Sequence, residues 1–111
     1  METKELIEAT CPDCRGPLSQ VRLDTAVFEY RCLVRHAYSA RTLLQAHSEL
    51  QEQALWSAVL ALEESMNIVR AVVPEMAPAV AERLVIQAQK KVLQAAEIRK
   101  ILERLDTFQT E

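Results

Sequence analysis

Three cysteines and a histidine fall in the order Cys11, Cys14, Cys32 and His36, with the spacing C-x2-C-x17-C-x3-H. Thiolate and imidazole are the donors that zinc takes four at a time in a tetrahedron. A C-x2-C pair lets two thiolates approach one ion from a single tight turn. The stretch "CPDCRG" suits that turn: Pro12 stiffens it, and Gly16 just beyond can take a positive φ. The residues between Cys14 and Cys32 suffice for a β-hairpin that returns Cys32 beside Cys14, and His36 completes the shell. Four protein ligands make a closed, structural site for one Zn2+, because a catalytic zinc keeps a position open for water.

Other chemistry competes for the same residues. Cys32 and His36 could form a catalytic dyad, but that needs an oxyanion hole and usually a third, orienting group. No G-x-S-x-G, phosphate loop or paired-carboxylate cleft accompanies them. A redox C-x2-C of the thioredoxin type calls for a βαβ context, which the sequence lacks. In the plainest reading Cys32 is a buried thiol and His36 a surface residue. His47, the other histidine, falls on the expected inner face of a helix, and the Glu63–Glu64 pair reads as a solvated face. No enzyme is expected.

The elements that must position the ligands follow from the change of period near residue 40. Before it, "LSQVRL" and "AVFEYR" alternate around Asp24-Thr25 and read as a β-hairpin, with "ELIEA" as a possible short third strand. After it, Ser39 can cap a helix. Leu44, His47, Gln51, Leu55, Val59, Leu62, Met66, Val69 and Val73 follow at steps of three and four. Pro74 and Pro78 interrupt, and Ala81, Leu84, Ala88, Val92, Ala95, Ile98, Leu102 and Leu105 resume the pattern. The expected fold is mostly α with a small β zinc lobe. Residues 1–39 form a zinc ribbon, and residues 40–111 form a long antiparallel helical hairpin with helices over 40–73 and 78–108.

The apolar stripes exceed what a two-helix, coiled-coil-like seam buries. The first helix adds Ala54, Trp56, Ala58, Leu60 and Ala61, and the second adds Val85, Ile86, Leu93, Ala96, Ile101 and Phe108. Pairing of two hairpins into a four-helix homodimer would cover them. Packing on the chain's own ribbon is the simpler alternative. Trp56 is either a partner anchor or ordinary core.

Composition limits the function classes. The chain has 111 residues, a net charge of −3 and one glycine, where about 7% is usual. Its apolar runs are too short to span a bilayer, and its start lacks the apolar core of a signal peptide, so a cytoplasmic location is the default expectation. An odd cysteine count in a reducing compartment favours metal over disulfides. Residues 11–41 carry five arginines, at 15, 22, 31, 35 and 41, against three acids, whereas residues 42–111 hold ten acids against seven bases. Three zinc-bound thiolates would trim the local basic excess, which is thin support for nucleic-acid binding.

The run "CPDCRGPLSQVR…FEYRCLVRHAYSARTLLQAHSELQEQALWSAVLALEE" resembles the C-terminal extension found on some bacterial chemotaxis protein-glutamate methylesterases. That extension has a pattern like CPxCxGxLW…RFRCxVGHAYS…LL, then ALWxALRALEE. The resemblance spans about Cys11 to Leu105. It implies zinc ligands at Cys11, Cys14, Cys32 and His36 and a helical signature over Ala54–Glu64. Two positions depart from it: Arg35 stands where the pattern has Gly, and Ser19 where it favours Trp. The Gly-rich turns and catalytic serine of the methylesterase domain are absent from this chain. The resemblance therefore implies a signalling context without the hydrolase activity. The expected function is a non-enzymatic interaction or scaffolding module with another signalling protein as partner, and Trp56 and Arg35 as candidate contact residues. The alternative is a ribbon that binds nucleic acid through its arginines.

Overall fold

Alternation in the first third of the chain produces strands, as a period of two requires. A computed structural model of the chain describes residues 3–109. Strands β1 (Thr3–Thr10), β2 (Pro17–Asp24), β3 (Val27–Cys32) and β4 (Ala37–Tyr38) pair in the order β1-β2-β3-β4, each antiparallel to its neighbour. The expected hairpin is thus the centre of a four-stranded sheet. Its turn is held by Asp24 Oδ1, which accepts the Thr25 N–H at 2.7 Å. The third strand foreseen at "ELIEA" is real and longer than expected, whereas β4 was read only as the exit towards a helix. Two residues carry too little alternation to be seen, and pairing of Tyr30 with Tyr38 and Arg31 with Ala37 makes the strand.

Leu18 on β2 lies opposite Cys32 on β3. With Cys11 these two form the buried cluster of the lobe, and Ile7, Tyr38 and Leu43 pack against it. Leu43 belongs to the first helix, α1 (Ala40–Val72). Ser39 caps α1 as expected: its Oγ accepts the Thr42 N–H at 3.1 Å, and Thr42 Oγ1 accepts the Ser39 N–H at 2.9 Å. This is a capping box with threonine in place of the usual Glu or Gln.

The helix is 33 residues long, about 50 Å at 1.5 Å per residue. All nine apolar-stripe positions named for it are at least partly buried, and Val59 is fully so. Val73–Glu75 forms a 3-10 turn, so Val73 lies just outside α1. Helix α2 (Pro78–Glu103) starts with proline at its first position, where no N–H is needed. It ends before the expected residue 108. Arg104 leaves helical geometry at φ −126° and ψ 20°, and its N–H turns to Ile101 O at 3.1 Å. The Asp106-Thr107 pair beyond it favours a turn over a helix interior.

The chain divides into two compact units between Leu50 and Gln51, and Leu43 of α1 packs against the buried cluster of the first. The second unit is Gln51–Asp106 and carries the rest of α1 with α2; residues 107–109 group with the first. Within the second unit Ala88 and Ala95 of α2 are buried. Arg99 of α2 grips Glu63 of α1 with contacts of 3.0, 3.1 and 3.3 Å. No helix among the described residues is long and apolar enough to cross a membrane.

Candidate metal centre

The first two candidate ligands come from the loop between β1 and β2. It closes on itself through Arg15 N–H to Cys11 O at 2.8 Å and Cys11 N–H to Gly16 O at 2.7 Å. The second pair comes from the loop between β3 and β4, closed by Arg35 N–H to Cys32 O at 3.2 Å and Cys32 N–H to His36 O at 3.1 Å. Each knuckle passes through one left-handed residue, Arg15 at φ 63° and Arg35 at φ 72°. Arg35 thus adopts a left-handed backbone that glycine takes without strain. The left-handed residue of the first loop is Arg15, not Gly16. What Gly16 offers is close approach: a Cβ there would lie 3.4 Å from Cys14 Sγ, and its N–H donates to that sulfur at 3.4 Å.

Pairing of the strands brings the two knuckles together. The ligand atoms of Cys11, Cys14, Cys32 and His36 all lie within 4.8 Å of one another. Nδ1 of His36 is 3.2 Å from Cys32 Sγ and 3.6 Å from Cys11 Sγ. In a zinc tetrahedron with bonds near 2.3 Å to sulfur and 2.0–2.1 Å to nitrogen, the donors stand about 3.5–3.8 Å apart. The four residues therefore fit a metal ion, and three sulfurs with one nitrogen form a set suited to zinc. The His36 N–H also donates to Cys32 Sγ at 3.3 Å.

The surroundings favour thiolate at two of the three sulfurs. Burial works against ionisation of Cys11, but hydrogen bonds from Tyr38 and from the backbone at Cys14 and Asp13 outweigh it and bring the thiol down to about 6. Cys32 is also lowered: burial opposes its charge, while hydrogen bonds from the His36 backbone, Cys14 and the Val34 backbone support it. The Gly16 N–H favours the Cys14 thiolate, yet desolvation and the neighbouring Cys32 and Cys11 sulfurs push that thiol up. His36 is raised, first by its hydrogen bond with Cys32 and against the cost of desolvation. Cys11 and Cys32 are buried, whereas Cys14 is exposed.

Two residues at the centre carried no signal of their own in the sequence. The Tyr38 hydroxyl lies 3.4 Å from Cys11 Sγ and also donates to Asp13 Oδ2. Burial, then the Asp13 carboxylate, holds the Tyr38 hydroxyl well above the usual phenol range. The clue was positional: Tyr38 is two residues beyond His36 on an extended segment, and Asp13 is inside the C-x2-C.

The remaining candidates are spread over both units. Arg35 is exposed and lines a groove with Lys4, Glu29, Arg31 and Leu33. Leu33 and Val34, between the ligands, stand exposed. Arg31 pairs with Glu29 at 2.6 Å, and the Arg22 guanidinium lies 5.2 Å from the Phe28 ring centroid. Trp56 is 42% exposed, with the Arg99 guanidinium 5.3 Å from its ring centroid. Glu63, read as solvated, is the acid that holds Arg99. His47 is partly buried on α1 and is not one of the four clustered residues. Compared with known proteins, the chain matches no family model, no curated protein and no solved structure.

Proposed function

We infer that this chain is a zinc-organised interaction module. One structural Zn2+ is held by Cys11, Cys14, Cys32 and His36, and the long helices offer the binding surface. The convergence of four soft donors within 4.8 Å carries this reading. With four protein ligands the metal has no position left for substrate, so its work is to cross-link two loops that the sheet alone leaves short of core. The lobe is then a zinc ribbon, and the function is non-enzymatic.

The helices are proposed to fold back as an antiparallel hairpin, which the Glu63–Arg99 pair and the stacking of Arg99 on Trp56 support. Leu60, Ile86, Leu93 and Ile101 remain 42–66% exposed. Pairing with a second copy would cover such a face and give a four-helix homodimer. A signalling context, with a further signalling protein as partner, rests on the resemblance to the methylesterase extensions. The nucleic-acid alternative has less support, because Arg22 and Arg31 are engaged on Phe28 and Glu29.

Native mass spectrometry and sedimentation of the wild type and Cys32→Ser test the reading. One zinc per chain in a dimer is the expected wild-type result, with zinc lost from the variant. A metal-free wild type, purified in the presence of zinc, would remove the module's central element. A monomer at micromolar concentration would remove the dimer.

A further inference from the structure

The Tyr38 hydroxyl has one proton and two acceptors. Asp13 Oδ2 accepts it in the closer contact, while Cys11 Sγ lies 3.4 Å away on the other side. Asp13 belongs to the first knuckle and Tyr38 to β4, so the bridge ties one ligand loop to the strand that follows the other. It also touches the most enclosed of the sulfurs, since Cys11 is fully buried. A proton donated to a metal-bound thiolate draws density from its lone pairs and weakens its donation to the metal. A proton held by Asp13 leaves the sulfur the stronger donor.

We propose that Tyr38 and Asp13 are positioning residues of the metal centre, which set the donor strength of Cys11 by competing for the Tyr38 hydroxyl proton. This deepens the zinc reading and depends on it. Tyr38 fixes where the sulfur sits, and Asp13 determines how far the hydroxyl turns towards it. The two residues therefore act on the metal in opposite senses, which a purely structural role would not produce.

The test uses the full chain loaded with Co2+ for spectroscopy and with Zn2+ for release to a chromogenic chelator. Tyr38→Phe removes the hydroxyl. Its thiolate-to-cobalt charge-transfer band moves to lower energy, while ligand-field bands of tetrahedral shape persist. Asp13→Asn keeps an amide of the same size but removes the stronger acceptor. The hydroxyl then turns to Cys11, and the band moves to higher energy. Zinc release follows the same donor strength: it slows in Tyr38→Phe, whose Cys11 is the stronger donor, and speeds up in Asp13→Asn. Tyr30→Phe is the control: its hydroxyl accepts from Gln20 Nε2 at 3.0 Å and bonds to no sulfur, so neither readout changes. Band shifts of the same sign in Tyr38→Phe and Asp13→Asn, or no shift in either, overturn the proposal while the metal site stands. A wild type that binds neither Co2+ nor Zn2+ overturns both.

Discussion

At the scale of single residues, two arginines bear a backbone cost that the two cysteine-bearing loops impose. A residue with a Cβ at φ near +60° to +70° is strained by roughly 1–2 kcal/mol, and glycine is not. Arg35 at φ 72° and Arg15 at φ 63° both sit there, each with its N–H turned back to the carbonyl of the first cysteine of its loop. The knuckle geometry thus overrides the preference of the residue. Replacing Arg35 by glycine should raise the stability of the metal-loaded protein by about 0.5–1 kcal/mol, after the extra freedom glycine gives the unfolded chain is subtracted. The measurement is the denaturant midpoint at unchanged m-value. A lower midpoint would mean that the Arg35 guanidinium contributes more than its backbone costs. At this scale the four clustered residues were legible, because C-x2-C and C-x3-H spacings are local. Tyr38 and Asp13 were not, because a hydroxyl between a sulfur and a carboxylate exists only once β4 pairs with β3 and the knuckles meet.

At the scale of elements, the passage from sheet to helix depends on one cap. Ser39 and Thr42 exchange two hydrogen bonds at the first turn of α1, two residues after β4 begins and three after the last ligand. Ser39→Ala should cost about 1 kcal/mol, and Ser39→Asp, which keeps an acceptor for the Thr42 N–H, should cost much less. Thermal unfolding of the three proteins, metal-loaded, checks the order; equal losses in both variants would show that the cap contributes nothing. The start of α1 was readable because a serine before an apolar-periodic run is a strong local signal. The end of α2 was not. Leu105 and Phe108 continue the spacing, but Arg104 has left helical geometry, and Phe108 is 52% exposed. Periodicity records which residues could share a face, not where the chain stops gaining from the helix. The Glu63–Arg99 pair eluded the sequence for a related reason. It joins positions 36 apart, and nothing local marks either residue.

At the scale of the whole molecule, the two compact units differ in what holds them. The lobe from Thr3 to Tyr38 buries a cluster made of Cys11, Leu18 and Cys32, so two of its three members are candidate ligands. A core that small does not order a chain of this length without a staple. The unit Gln51–Asp106 holds none of the four clustered residues and buries Val59, Ala88 and Ala95. Removing the metal with EDTA should therefore collapse the sheet and leave most of the helix. Amide resonances of residues 3–38 should lose their dispersion, while helical circular dichroism falls only modestly. Acid should act through the same site. Thiolates bind metal and thiols do not, so protons compete with zinc. Cys11 is depressed from 9.0 to about 6, so its ionised form contributes stability that is complete above pH 9 and lost as the pH falls through about 6. His36 is raised from 6.5 and works in the opposite sense: as a cation it stabilises the metal-free lobe below that value and the gain disappears at higher pH. In the metal-loaded protein only the first sense should appear, because a ligating imidazole carries no proton on Nδ1. Zinc should stay bound at neutral pH and leave on acidification, at a pH below that at which the metal-free Cys11 thiol protonates, and sheet dispersion should be lost in the same step. Release of zinc with the sheet intact, or loss of sheet and helix together in one transition, would contradict this division of the molecule.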